Sequence, residues 1–168
     1  MDRKRKALAD QTPPLELVIF MLDRQPYAVE LATVHRVVYA AEVTPLPHAP
    51  PVILGVINVH GQLMAVVNLR RRFGLPEREI DLSDQFVIVD TPTRRVALVV
   101  DAVIGIRAVP RQNILAGNEI SAELHHVHGI AKVAGDLIFI QDLDRCLSLQ
   151  EEKILDDALE QRARVTNG

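Results

Sequence analysis

The sequence predicts a mainly β protein whose strands close into small barrels. Short apolar segments recur at regular spacing between turn signals with little helix, the pattern of a barrel or sandwich. The apolar fraction is 48%, yet aromatics are only 4% and Trp is absent, so Val, Ile, Leu and Ala fill the interior; that bias favours strands. Strands this numerous and this apolar would leave wet edges in one open sheet, which closure removes. A length of 168 residues fits one domain or two small lobes sharing a core, enough to bury an interior without covalent staples.

Each element follows from local pattern. After a basic tail over residues 1–14, with Arg3, Lys4, Arg5 and Lys6 expected to be solvated, Leu15 to Leu22 reads as a strand with apolar residues on both faces. Asp23 to Pro26 reads as a turn and Tyr27 to Val29 as the returning strand. Leu31, Val34, His35 and Val38 recur at helical spacing, predicting a short helix over Glu30–Arg36 that feeds a strand through Val37, Val38 and Tyr39. Pro45, Pro47, Pro50 and Pro51 then make a stiff loop, because each lacks a donor and restrains its predecessor. Gly55 to Gly74, GVINVHGQLMAVVNLRRRFG, reads as strand, tight turn, strand and short helical turn. Gly61 can supply the positive φ that the turn needs, and the near-continuous apolar run predicts cover on both faces. Leu75 to Asp84 reads as a polar surface loop. Gln85–Val89 and Val96–Val100 form a hairpin about Thr91-Pro92-Thr93, and Ala102–Val109 continues as a strand. Arg111 to His128 is a long connection. Ile130–Val133 and Leu137–Leu143 form the last hairpin, about Gly135-Asp136. Ser148 with Glu151 has the capping-box spacing, opening an amphipathic helix with Ile154, Leu155, Ala158 and Leu159 as its apolar stripe.

Little here carries chemistry. Net charge is −3 with a pI near 6.1, which gives no global pull toward nucleic acid or anionic membrane. Arg70, Arg71 and Arg72 form one short basic patch without an aromatic platform, a weak nucleic-acid footprint and a better match to the charged rim of a protein interface. Cys146 is the single cysteine; it reads as a small buried side chain in a reducing compartment. His125, His126 and His128 admit a metal site or a solvated loop. The loop fits better, since neighbours on an extended segment point apart and a closed site needs about four ligands. Asp101, between two apolar runs, reads as an acceptor of backbone bonds at a bend, and Asp142 and Asp144 beside Arg145 as surface ion pairs. There is no glycine elbow around Ser83 or Ser121 and no phosphate loop. No segment has the roughly 18 apolar residues of a membrane span, and no signal-peptide core precedes Pro13. A cytoplasmic, non-enzymatic binding module without cofactor or metal is the expectation.

The chain resembles the CheW family of bacterial chemotaxis coupling proteins. The resemblance rests on LELVIFMLDRQPYAVEL, TPLPHAPP, GVINVHGQLMAVVNLRRRFG, VALVVDAVIGI and AGDLIFIQDLDRCL in this order. It implies two small five-stranded SH3-like barrels packed side by side over residues 15–147 with a groove between them, a short internal helix, and a C-terminal amphipathic helix and tail over 148–168. It implies a non-catalytic adaptor that links the cytoplasmic tip of chemoreceptors to the regulatory domain of the histidine kinase CheA at membrane-associated arrays. Receptor and kinase interface candidates are then Val37, Val38, Val56, Asn58, His60, Gly61, Asn68 and Arg70; a core role for Val37 and Val38 fits equally well. Where the family carries Asn-Leu-Arg-Gly, this chain has Asn58, Val59, His60 and Gly61, and the usual aspartate in the next strand is Asn68. Losing both charges reads as a matched exchange. The alternatives are a module of the same fold in another two-component pathway, such as pilus motility or transcriptional control, and less favoured a metal-binding or nucleic-acid-binding β-barrel.

Overall fold

Two β-sheets hold all eleven strands of the computed structural model, which describes residues 12–116 and 127–167. Each sheet belongs to its own compact unit, and both units are discontinuous in sequence. One combines the chain up to Thr33 with Val103–Asp142, and the other combines Val34–Ala102 with the segment from Leu143 onward.

In the first unit the strands are β1 (Leu15–Leu22), β2 (Gln25–Glu30), β8 (Ala102–Val109), β9 (Ile114–Ala116), β10 (Val127–Val133) and β11 (Asp136–Gln141), ordered β8-β1-β2-β11-β10-β9. The hairpins β1/β2 and β10/β11 are antiparallel and join through a short parallel pairing of β2 with β11. Burial runs unbroken from Leu17 through Phe20, so both faces of β1 are covered. Leu17, Ile19, Ala28, Val109, Ala131, Ile138 and Ile140 form the core. Tyr27 lies between Phe20 and Phe139, with ring centroids 6.1 and 5.9 Å away, within the usual range for aromatic pairs.

The second unit repeats this plan. Its strands β3 (Val34–Tyr39), β4 (Ile53–Val59), β5 (Gln62–Val67), β6 (Gln85–Asp90) and β7 (Arg95–Val100) are ordered β3-β6-β7-β5-β4. Two antiparallel hairpins again meet at a parallel pair, here β5 with β7. Ala40, Ile57, Met64, Val66, Phe86, Ile88 and Ala97 make its core. A four-residue helix, α1 (Leu69–Arg72), follows β5, and α2 (Leu149–Asn167) closes the chain within this unit. The expected capping box is present: Ser148 Oγ accepts from Glu151 N at 3.1 Å, and Glu151 Oε1 accepts from Ser148 N at 2.8 Å.

Several local expectations need correction. Helix over Glu30–Arg36 is limited to a 3-10 turn at Leu31–Thr33, with β3 starting at Val34. The β-branched run Thr33, Val34, Val37, Val38 prefers strand, and the Thr33 hydroxyl donates to Glu30 O at 2.6 Å, closing the turn locally. The β1–β2 connection is two residues, Asp23 and Arg24, both at positive φ, so the returning strand begins at Gln25. The last hairpin turns on Ala134 and Gly135, one residue earlier than the glycine–aspartate pair suggested. β9 and the early start of β10 fall inside the supposed connection. The first sheet therefore has six strands rather than five. On α2, Leu155 and Ala158 are buried and Leu159 half-buried, whereas Ile154 is 37% exposed.

Candidate interaction surface

The β4–β5 hairpin presents a tip and a base with different roles. At the tip, His60 and Gly61 take φ values of 49° and 83°, the pair of positive angles that a two-residue turn matching the strand twist requires. Asn58 Oδ1 accepts from Gly61 N at 2.9 Å and braces the turn. Asn58, His60 and Gly61 are all exposed, and Leu63 beside them is 50% exposed. Cover on both faces thus holds for the base of the hairpin and fails at its end.

At the base the candidates are largely covered and hydrogen-bonded within the unit. Val56 is buried, pairs with Ala65, and exchanges backbone bonds with Thr44 in the proline loop at 2.8 and 3.0 Å. Asn68 is buried and caps α1: its Oδ1 accepts from Arg71 N at 3.3 Å, and its Nδ2 donates to Glu77 Oε1 at 2.9 Å. Arg70 is only 11% exposed; its Nη2 donates to both oxygens of Asp101 at 2.9 Å, and its Nη1 to Pro76 O at 3.0 Å.

These facts overturn one reading and add a role to another. Asn68 and His60 lie at opposite ends of β5, which at about 3.3 Å per residue separates them by roughly 20 Å, so they are not a matched pair. Asp101 is an anchor for guanidinium groups at its bend, since Arg78 Nη2 also donates to it at 2.8 Å. Arg78 further grips Asp84 at 2.7 and 2.9 Å. Asp84 is buried and also accepts from Asp81 N, so the segment from Leu75 to Asp84 ends in the interior. The bond to Asp84 foremost, opposed by burial and helped by both carboxylates, holds the Arg78 guanidinium above its ordinary pKa.

The remaining candidates sit on β3, the outer strand at the far end of the order from β4. Val37 is 36% exposed and Val38 half-buried, and their neighbour Tyr39 is 73% exposed. Sequence reasoning missed the matching feature of the first unit. On its outer strand β8, Ile104 and Ile106 are 61% and 60% exposed, on one face by the two-residue period. Their alternation with Gly105 and Arg107 was the available signal. His128 lies 3.9 Å from Glu30, while His125 and His126 fall outside the described residues. Among the described residues no three His, Cys, Asp or Glu side chains gather as metal ligands. Burial pushes the Cys146 thiol up to about 12, so it stays protonated.

Comparison with known proteins decides the family. The model of the CheW-like domain matches residues 16–151. The chain belongs to the CheW-like domain family. A probable chemotaxis protein CheW from Rhizobium etli is 30% identical over 142 residues, spanning 82% of this chain and 90% of its own. Protein FrzA from Myxococcus xanthus is 30% identical over 135 residues, spanning 78% and 83%. The crystal structure of the scaffolding protein TtCheW from Thermoanaerobacter tengcongensis aligns with a TM-score of 0.75 at 27% identity, covering 84% of this chain and 92% of that one. The two-sheet architecture is thus that of a CheW scaffold. No helix among the described residues is long and apolar enough to cross a membrane.

Proposed function

We infer that this CheW-like chain is a non-catalytic adaptor that couples the cytoplasmic tip of chemoreceptors to the regulatory domain of the histidine kinase CheA. The observation that carries this reading is large apolar side chains left open on outer strands, Ile104 and Ile106 on β8 and Tyr39 on β3, in a chain that belongs to a scaffold family. Such side chains on a strand edge invite association. A receptor helix docks through an apolar strip, and the array's multivalency lets each contact be weak. The exposed candidates Val37, Asn58, His60 and Gly61 serve as contact residues, with Val38 behind them. The buried candidates Val56 and Asn68 and the half-buried Arg70 hold the hairpin base and act on partners only through that support. The protein works in the cytoplasm at receptor arrays.

Co-sedimentation of receptor fragments with the kinase, with and without this protein, tests the reading. The kinase should pellet with receptor only when the adaptor is present; recovery independent of the adaptor refutes it. A second reading, service in another two-component pathway, has support in the likeness to FrzA, a relative outside the chemotaxis proteins by name. Pull-down of the native kinase separates the two.

A further inference from the structure

The first two turns of helix α2 are attached to their unit by charge. Arg72 Nη2 donates to Glu151 Oε1 at 2.5 Å. Arg94 Nε donates to Glu152 Oε2 at 2.7 Å, and its guanidinium also pairs with Asp156. Thr93 Oγ1 donates to Glu152 Oε1 at 2.8 Å. The clasp therefore consists of two arginines, one from α1 and one from the β6–β7 turn, closed on three acids in the first two turns of the helix.

Apolar attachment is confined to one short seam. From Leu149 to Val165 only Leu155 and Ala158 are buried; Leu149 and Val165 are 92% and 82% exposed. Beyond Ala158 the helix stands off the proline loop. A groove of about 330 Å³ separates Ala158, Gln161, Arg162 and Val165 from Pro47 and His48. The docked state also carries a defect, since Arg72 Nε is buried with no acceptor, which disfavours docking. A helix held by one short apolar seam and by partly exposed ion pairs belongs to the low end of local stability. Its attachment is open to salt chiefly at the pair of Arg94 with Asp156, whose carboxylate is 60% exposed, because the pairs to Glu151 and Glu152 are only 16–22% exposed and partly buried pairs are screened less.

We propose that α2 is a strap, clasped by Arg72 and Arg94, that detaches from its unit as ionic strength rises while the sheet beneath stays folded. Release uncovers Leu155, Ala158 and the apolar surface they cover, so salt sets how much apolar surface this unit offers. The strap does not depend on the adaptor reading.

Hydrogen exchange of the full chain, followed by mass spectrometry in 50 mM and 1 M NaCl, tests it. Peptides from α2 should lose about tenfold in protection at high salt, while peptides from β6 and β7 keep theirs. Arg94→Gln should reproduce the loss at low salt; Arg95→Gln, which breaks the pair with Asp90 in the same hairpin, should not. Exchange of α2 in step with β6 and β7, exchange indifferent to salt, or a salt effect that Arg94→Gln fails to mimic overturns the proposal. The wild-type salt series needs no variant, so a misfolded substitution leaves the test intact.

Discussion

Gly55 shows how one residue without a side chain can fix a loop. Its φ is +155°, and a methyl group there would lie 2.2 Å from Thr44 O and 2.8 Å from Val43 Cγ1. The register of β4 against β5 shifts at this point, which lets Val56 bond Thr44 and tie down the proline loop. Gly55→Ala is expected to cost about 2–4 kcal/mol, from strain at positive φ together with displaced backbone. Urea unfolding measures it: the midpoint should fall at unchanged slope, and a loss under about 0.5 kcal/mol would mean the loop adapts freely. His60 is the opposite case. Its side chain is exposed, so His60→Arg should leave stability within about 0.5 kcal/mol of wild type while changing affinity for receptor or kinase. Unchanged binding constants for both partners, by titration calorimetry, would remove this position from the interface. The tight turn at His60-Gly61 was legible because glycine after a polar residue between apolar runs is a local signal. The roles of Gly55, Asp84 and Asp101 were not, because their partners are remote: Arg78 and Arg70 precede Asp101 by 23 and 31 residues, and sequence periodicity carries no trace of such a bond.

Elements read from the sequence succeed where one period dominates. β1 matches its expected bounds because apolar residues fill every position but Glu16, and α2 begins at its expected cap because Ser148 and Glu151 announce it. Leu31, Val34 and Val38 satisfy a helix only in part, and the β-branched residues around them tip the segment to strand. The α2 stripe holds at Leu155, Ala158 and Leu159 and fails at Ile154 alone, since Leu155 and Ile154 both fit helical spacing and only packing chooses between them. The cap also gives α2 a pH dependence. Burial alone would raise the Glu151 pKa, but the bonds from Ser148 and Arg72 hold it below its ordinary 4.5. With the folded value depressed, its contribution is complete above about 4.5 and is lost as pH falls through the lower folded value. The helix should therefore loosen in acid below about pH 4.5. Hydrogen exchange of α2 at pH 6 and pH 3.5, corrected for intrinsic rates, should show that extra loss in wild type and a smaller one in Glu151→Gln; equal losses would exclude Glu151 as the titrating group. Ser148→Ala should cost about 1 kcal/mol as a lost cap, read from the urea midpoint.

Each unit of the molecule ends, among its described strands, in one that keeps bulky apolar groups in solvent: β8 with Ile104 and Ile106, β3 with Tyr39. Neither strand needs those groups for its own fold, because the cores are closed by other residues. An edge of this kind carries a standing risk of aggregation, which charged or proline substitutions would remove at little cost to the sheet. A chain that retains it is under a demand other than folding. The double substitution Ile104→Glu with Ile106→Glu separates the two demands. Both side chains are more than half exposed, so the urea midpoint should move by no more than about 0.5 kcal/mol in free energy. If the strand meets a partner, burying two carboxylates in an apolar contact should weaken that contact at least tenfold. The protein should then stay soluble and keep the oligomeric state of wild type while failing to bring kinase down with receptor fragments. Co-sedimentation equal to wild type at matched concentrations would take β8 out of the assembly surface and leave β3 and the His60 turn as the surfaces to test next.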